Sequence, residues 1–263
     1  MIMILKPIVP DLAAYPDEFK TLLSNAMIFD SSCSKNATVI FIDKDGGYFL
    51  KFAAKGNLEH EAKMTRYFHS KGLSPNVLSY ISGEYDWLLT EKVRGDDCTA
   101  TKYLEQPERL CDIIAERLVQ LHSTDFTDCP IENHTELYIA KATHNYYSDH
   151  FDKSLFPDNW GYKSAEEAWQ VVEKNKHLLK TETLLHGDYC LPNIILKNWE
   201  FSGYIDLDCS GVGDRHVDIF WAIWSLFFNL KTDKYHERFN DAYGRDNINE
   251  ELLRVIAAIE VFG

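Results

Sequence analysis

Residues 184–208, LLHGDYCLPNIILKNWEFSGYIDLD, put two carboxylates and a carboxamide into one short segment: Asp188, then Asn193, then Asp206. The apolar runs around them read as short strands, which sets the polar groups on loops at strand ends. Such a set suits phosphoryl transfer. One carboxylate orients and deprotonates an attacking hydroxyl, while an amide oxygen and a second carboxylate hold Mg²⁺ against nucleotide phosphates. Taken alone, the same residues would also make a polar hairpin loop with an Asn-mediated turn, so the reading depends on partners upstream.

Three upstream features supply them. In DSSCSKNATVIFI, Ser31, Ser32 and Ser34 precede a strand, where small side chains let backbone N–H groups approach phosphate and hydroxyls add donors. No Gly-Lys-Ser/Thr occurs, so this is not a Walker A loop. Lys51 interrupts the apolar strand YFLKF, and a lysine there is either on the solvent face or held by an acid. Glu61, in the helix that follows, is the candidate acid; such a pair would hold an ammonium on nucleotide phosphates.

Outward from these residues the chain divides by pattern. ATVIFIDKDGGYFLKFA is two alternating runs about a Lys-Asp-Gly-Gly turn, a β-hairpin. NLEHEAKMTRYFHSKG predicts a helix capped by Asn57 and stopped by Gly72, the one helix among the strands of the first ninety residues. NVLSYIS and DWLLTEKV predict two more strands joined by a Gly-Glu-Tyr-Asp turn. Beyond Gly95 helical spacing takes over: Leu110, Ile113, Ile114, Leu118 and Leu121 mark one helix, and Ser164 to Glu167 is a capping-box opening to another. RHVDIFWAIWSLFFNL is apolar nearly all round and predicts a buried helix; a last helix starts near Asn247. The expectation is an α+β chain with a mainly antiparallel β lobe over 1–92 and a mainly α lobe over 93–263, the 184–208 motif falling in the second.

Composition narrows the partners. Lys plus Arg total 27 against 41 Asp plus Glu, a formal charge of −14, which disfavours nucleic acid and favours a cationic small molecule. Six scattered cysteines without a Cys-x-x-Cys pair predict free thiols and no zinc site. The start MIMILKPIVP is too short for a secretory signal, and the apolar run from Ile219 to Phe228 is below the ~20 residues of a membrane span. A cytoplasmic protein without an obligate protein partner is expected.

With these residues in view, the chain resembles the aminoglycoside phosphotransferases, most closely the aminoglycoside 3′-phosphotransferases or kanamycin kinases, which share the two-lobed protein-kinase-like fold. The likeness runs from Asp30 to Gly263. It is carried by His186-Gly187-Asp188 with Asn193, by Asp206 in Gly-Tyr-Ile-Asp-Leu, and by Gly213-Asp214-Arg215 with Asp218. Leu121-His122-Ser123, Asp125, Asp128-Cys129-Pro130, and Glu260 with Phe262 in the terminal helix extend it. The resemblance implies Asp188 as catalytic base, Asn193 and Asp206 as Mg²⁺ ligands, and Lys51 braced by Glu61 on the phosphates of ATP or GTP. Ser34 would sit in the phosphate-covering loop and Phe49 would stack on the purine. Backbone groups from Thr90 to Val93 would bind the purine edge, with Ile195 and Ile205 beneath the base. Asp158, Asn159, Glu260 and Phe262 would contact the acceptor.

The departures lie on the acceptor side. Cys209 stands where the pattern usually has arginine, and Gly161, Phe228 and Asn229 stand where related enzymes often carry acids. Gly263 follows Phe262, displacing a terminal carboxylate that the family can use. Each lost charge-assisted hydrogen bond removes about 1.5–3 kcal/mol from antibiotic binding. The resemblance therefore implies phosphorylation of an aminoglycoside hydroxyl, the 3′-hydroxyl first, and antibiotic resistance. A same-fold kinase of another amine-bearing alcohol and a catalytically silent nucleotide-binding regulator are the alternatives.

Overall fold

A computed structural model describes residues 6–33, 37–152 and 161–263. The chain forms two compact units: residues 1–100 with 192–208, and residues 101–191 with 209–263.

The first unit is built on a six-stranded antiparallel sheet. Its strands are β1 (Lys6–Ile8), β2 (Met27–Asp30), β3 (Ala37–Asp43), β4 (Tyr48–Ala54), β5 (Val77–Ser82) and β6 (Tyr85–Glu91), in the order β1-β2-β3-β4-β6-β5. The predicted hairpin is β3–β4, with Ile42 opposite Tyr48 and three successive positive-φ residues, Asp45, Gly46 and Gly47, making the turn. Two helices, not one, accompany these strands. α1 (Asp17–Leu23) has only seven residues, too few for its periodicity to stand out, yet Phe19 and Leu23 are buried. They pack on Ile40, Ile42, Leu50, Trp87 and Leu89, which cover one sheet face. α2 (Glu59–Ser70) covers the other face, with Leu58 and Ala62 on Ala53 and Leu88. Period-two alternation therefore places Lys51, between Leu50 and Phe52, on the α2 side with Ala53.

Asn57 does not cap α2. The cap position is Leu58, without a side-chain cap bond, and the turn is held instead by buried Asp86, whose Oδ2 accepts from the Gly56 and Leu58 amides at 2.8 and 3.1 Å. A charged acceptor from a neighbouring strand outcompetes the local amide side chain. At the other end Gly72 does terminate the helix, at φ +73°, with the Leu73 amide donating to the Phe68 carbonyl.

The sequence boundary at 92/93 needs correction, because the units part at residue 100 and the segment 192–208 returns to the first unit. Strand β9 (Ile194–Lys197) pairs with β10 (Glu200–Tyr204) on one side and with the two-residue β7 (Asp96–Asp97) on the other. Gly95 makes that approach possible: a Cβ there would lie 2.3 Å from the Leu196 carbonyl oxygen. Tyr204 completes the junction by packing edge-on against Phe68 of α2.

The second unit is mainly helical, with α3 (Thr101–Leu104), α4 (Pro107–His122), α5 (His134–Tyr147), α6 (Ala165–Asn175), α7 (His216–Leu230), α8 (His236–Tyr243) and α9 (Glu250–Glu260). A short antiparallel pair, β8 (Thr183–Leu185) with β11 (Gly211–Gly213), runs through it. Leu110, Ile114, Leu118 and Leu121 of α4 are buried as their spacing predicts. At α6 the Glu167 amide donates to Ser164 Oγ, while the Glu167 carboxylate reaches the Lys163 amide. The last helix is capped by Asn249, two residues beyond Asn247. α7 is not buried all round: Phe227 and Phe228 are 52% and 44% exposed, since an apolar run does not reveal which face finds a partner.

Candidate active site

In the first unit, Lys51 is the only cation of a three-charge cluster. Its Nζ lies 2.8 Å from Glu61 Oε2 and 2.8 Å from Asp206 Oδ1. The strand places Lys51 under α2, the first turn of α2 supplies Glu61, and the returning segment supplies Asp206. Only the Asp206 contact has hydrogen-bond geometry; Glu61 Oε2 meets the ammonium off its bonding direction, so that contact is Coulombic. Burial would lower the Lys51 ammonium, but Glu61 and Asp206 more than offset it and hold it above the usual lysine range. Burial, joined by Asp206 and Asp208, pushes Glu61 up to about 7 despite Lys51. The two acids thus raise the cation they share, while burial and the neighbouring carboxylates raise Glu61 against that cation.

Asp206 itself is 47% exposed in its side chain and stands at φ +60°, a left-handed conformation that aspartate tolerates better than most residues. The Ile205 amide donates to the Asn193 carbonyl at 3.0 Å, so the two expected metal ligands come from backbones joined by one bond. Among the described residues no group of three His, Cys, Asp or Glu is placed to hold a metal. An amide oxygen and one open carboxylate instead fit Mg²⁺, which keeps most of its shell for phosphate and water.

The residues expected around a purine fall in the same unit. Phe49 is partly buried, its ring 5.2 Å from that of Phe41, and it pairs across the sheet with Thr90. Val93 is partly buried against Gly203, where a Cβ would lie 3.1 Å from Val93 Cγ1. Ile195 is 7% exposed and Ile205 partly buried. Ser34, Asp158 and Asn159 lie outside the described residues.

The second unit carries Asp188 on the loop after β8. Every residue from Thr183 to Leu191 is buried except Asp188. The loop is clamped by Asp218 of α7: its Oδ2 accepts from the His186 amide at 2.8 Å and its Oδ1 from the Gly187 amide at 2.7 Å. Gly187, at φ +85°, cannot carry a side chain, since a Cβ would lie 1.8 Å from the Cys209 carbonyl oxygen. Farther on, the Tyr189 hydroxyl donates to Ile114 and the Leu191 amide to Ser225 Oγ. Asp218 also meets His122 Nε2 at 3.2 Å, and His122 Nδ1 lies 2.7 Å from the Tyr243 hydroxyl. Burial lowers His122 although Asp218 works against it. The ring is therefore neutral, Nε2–H donating to Asp218 and Nδ1 accepting from Tyr243. His122 and Asp218 stand in the family-like motifs without an assigned task; the structure makes them the loop's support. An acid in the otherwise apolar α7 run was the available signal, for a buried carboxylate needs donors.

Glu260 is neither a solvated helix-end acid nor an open arm. Its Oε1 accepts from the Tyr138 hydroxyl at 2.5 Å and from Trp221 Nε1 at 3.1 Å. Burial pushes it up to about 7, with the Asp188 charge adding to the rise. The Phe262 side chain does not face solvent at all. It is 0% exposed, packed edge-on against Tyr146, Phe151 and Trp169, so its ring is part of the core. An aromatic residue after a helix end carries no sign of which neighbours enclose it.

A lysine-acid pair on an antiparallel sheet and a clamped His-Gly-Asp loop in a helical unit define a protein-kinase-like phosphotransferase. The chain belongs to the phosphotransferase enzyme family, whose family model matches residues 29–256. It is 48% identical over 260 residues to the probable aminoglycoside 3′-phosphotransferase of Lactococcus lactis, covering 98% of this chain and 99% of that one. With the aminoglycoside 3′-phosphotransferase of Niallia circulans it shares 29% identity over 218 residues, 81% of this chain and 83% of the relative. Among solved structures, an aminoglycoside 3′-phosphotransferase of type VIII superposes with a TM-score of 0.77 at 22% identity, over 98% of this chain and 94% of that one. The aminoglycoside phosphotransferase of Streptomyces rimosus, solved with ADP and streptomycin, superposes with a TM-score of 0.71 at 20% identity, over 97% and 99%.

Proposed function

We propose that this protein transfers the γ-phosphate of ATP or GTP to a hydroxyl of an aminoglycoside, the 3′-hydroxyl first, and so confers resistance to it. The observation that carries the reading is Lys51 held by Glu61 and Asp206, beside full-length 48% identity to a probable aminoglycoside 3′-phosphotransferase. ADP and AMP-PNP in relatives crystallised with streptomycin or hygromycin B support an adenine nucleotide as donor.

In this reading the first unit binds the nucleotide. Lys51 engages its phosphates, Phe49, Thr90, Val93, Ile195 and Ile205 enclose its base, and Ser34 belongs to the covering loop. Asn193 and Asp206 would hold Mg²⁺, which when bound offsets charge on the transferring phosphate. The second unit serves the acceptor. Asp188, the one unburied residue of its loop, orients the hydroxyl and takes its proton. Asp158, Asn159 and Glu260 meet its ammonium groups.

A second acceptor class, another amine-bearing alcohol, is favoured by one feature. At the end of α7, Phe228 carries the Lys231 ammonium 4.0 Å over its ring, in a place where related enzymes often carry acids. Nucleotide release by the purified protein, measured across aminoglycosides and simpler amino alcohols, separates the two. Turnover of aminoglycosides, with lowered susceptibility of an expressing bacterium, is expected. Turnover confined to the simpler alcohols would replace the antibiotic reading, and no turnover of any acceptor would remove both.

A further inference from the structure

Helix α7 reaches the Asp188 loop twice. Ser225 follows Asp218 by seven residues and Asn229 by eleven. At about 100° per residue the three side chains leave the helix within roughly 40° of one line, with Ser225 about 10 Å along the axis from Asp218. Where Asp218 takes the His186 and Gly187 amides, Ser225 Oγ takes the Leu191 amide at 2.9 Å. The loop is thus tied to α7 at both ends, with Asp188 between.

The second tie is unlike an ordinary helix serine. A buried serine hydroxyl commonly turns back to a carbonyl of its own helix. Ser225 is 1% exposed, yet its oxygen accepts from a different segment. Leu191 is fully buried and opens the single turn Leu191–Asn193, and the first amide of a helical turn has no partner within it. The Ser225 hydroxyl therefore caps the turn that ends on Asn193, an expected metal ligand. Asn229, half-buried in the last turn of α7, braces the hydroxyl. Its Nδ2 donates to the Ser225 carbonyl at 2.8 Å and to Ser225 Oγ at 3.3 Å. Related enzymes often carry an acid here, and a carboxylate has no N–H for that carbonyl. The backbone between the ties is short: the Cys190 amide donates to the Asp188 carbonyl at 2.8 Å. Burial and the Asp188 charge push the Cys190 thiol up, with Ser225 working against them, so a neutral thiol neighbours the base.

We propose that Ser225, braced by Asn229, is a positioning residue for phosphoryl transfer. It holds the outgoing end of the Asp188 loop as Asp218 holds the incoming end, and Asn229 serves that tie instead of binding the acceptor. The proposal rests on Asp188 as the catalytic base.

The full chain is assayed with Mg·ATP and kanamycin, and the same samples are read by urea unfolding and by hydrogen exchange of the Leu191 amide. Ser225→Ala should speed Leu191 exchange and lower kcat about tenfold or more, because small displacements of a reacting group cost up to about 10² in rate. Its KM values for kanamycin and ATP should stay within about twofold of wild type, since ground-state binding is untouched. Ser225→Thr keeps the hydroxyl and should stay closer to wild type in kcat. Asn229→Leu removes both N–H contacts and should lower kcat about threefold, the worth of one modest hydrogen bond, again without a KM change. Should Ser225→Ala fail to fold, Asn229→Leu decides alone. Wild-type kcat in either folded variant overturns the proposal, as does an effect confined to the urea midpoint or to the KM for kanamycin. Turnover surviving in Asp188→Ala would instead remove the base on which the proposal stands.

Discussion

Glu61 in the first unit and Asp218 in the second are both buried carboxylates, 7% and 0% exposed, yet they are satisfied in different ways. Asp218 takes two backbone amides and a histidine N–H, directional donors on elements that have nowhere else to go. Glu61 has one ammonium, off its bonding direction and shared with Asp206. Oriented dipoles fix a loop in place; a shared cation can be redistributed when another charge arrives. The helical unit thus presents Asp188 rigidly, whereas the sheet unit holds its charges in a balance that a metal-nucleotide would change.

Four variants break or sharpen this contrast. The largest effect is expected from Asp188→Ala: kcat should fall by about 10²–10⁴ with nucleotide Kd unchanged, the range for a positioned base. More than about a tenth of wild-type kcat would remove Asp188 from that role. Next comes Asp218→Asn, which keeps the shape but turns an NH₂ group toward a backbone amide. It should cost about 3 kcal/mol in urea unfolding and lower kcat roughly tenfold or more, because the Asp188 loop loses its clamp. Intact kcat in a stably folded variant would make Asp218 purely structural.

Asp206→Asn acts on the balance instead. The Mg²⁺ concentration for half-maximal rate should rise about tenfold, with little change in stability, since its side chain is 47% exposed. An unaltered Mg²⁺ titration would exclude it as a ligand.

The smallest effect belongs to Glu260→Gln. In the folded chain Glu260 binds its proton up to about 7, against 4.5 for an ordinary glutamate, so wild-type stability falls as pH rises from about 4.5 to about 7. Gln has no proton to lose, and its amide oxygen still accepts from Tyr138 and Trp221. The variant should therefore match wild type near pH 4.5 and exceed it by on the order of 1–2 kcal/mol at pH 8, read from urea midpoints. For a cationic acceptor, wild-type KM should fall several-fold between pH 6 and 8 as the carboxylate charges, with no such trend in the variant. A parallel trend in both would place the titrating group elsewhere.

Local chemistry was legible in advance. The β3–β4 hairpin, the α4 stripe and the Ser164 cap each depend on residues a few positions apart, and Asp188, Asn193 and Asp206 lie in one segment. What escaped depends on partners far along the chain. Asp86 overrides Asn57 at the start of α2 from 28 residues beyond Leu58. The Asp218–His122–Tyr243 network joins three helices. A two-residue strand, β7, is too short for any periodic signal, yet it helps draw 192–208 into the first unit. Phe262 reads as a ligand contact by resemblance, but the aromatic side chains packed around its ring come from α5, α6 and the segment after α5.

The return of residues 192–208 also has a consequence for how the chain is made. Roughly ninety residues of the second unit must be synthesised before the first can be completed, about 5–18 seconds at ordinary elongation rates. Throughout that interval the six-stranded sheet can form on the ribosome, but Lys51 has only Glu61 to face and Gly95 has no β9 to lie against. A fragment ending at residue 100 is frozen in that state. Separate expression of the first unit as a nucleotide-binding piece therefore requires 192–208 to be grafted back.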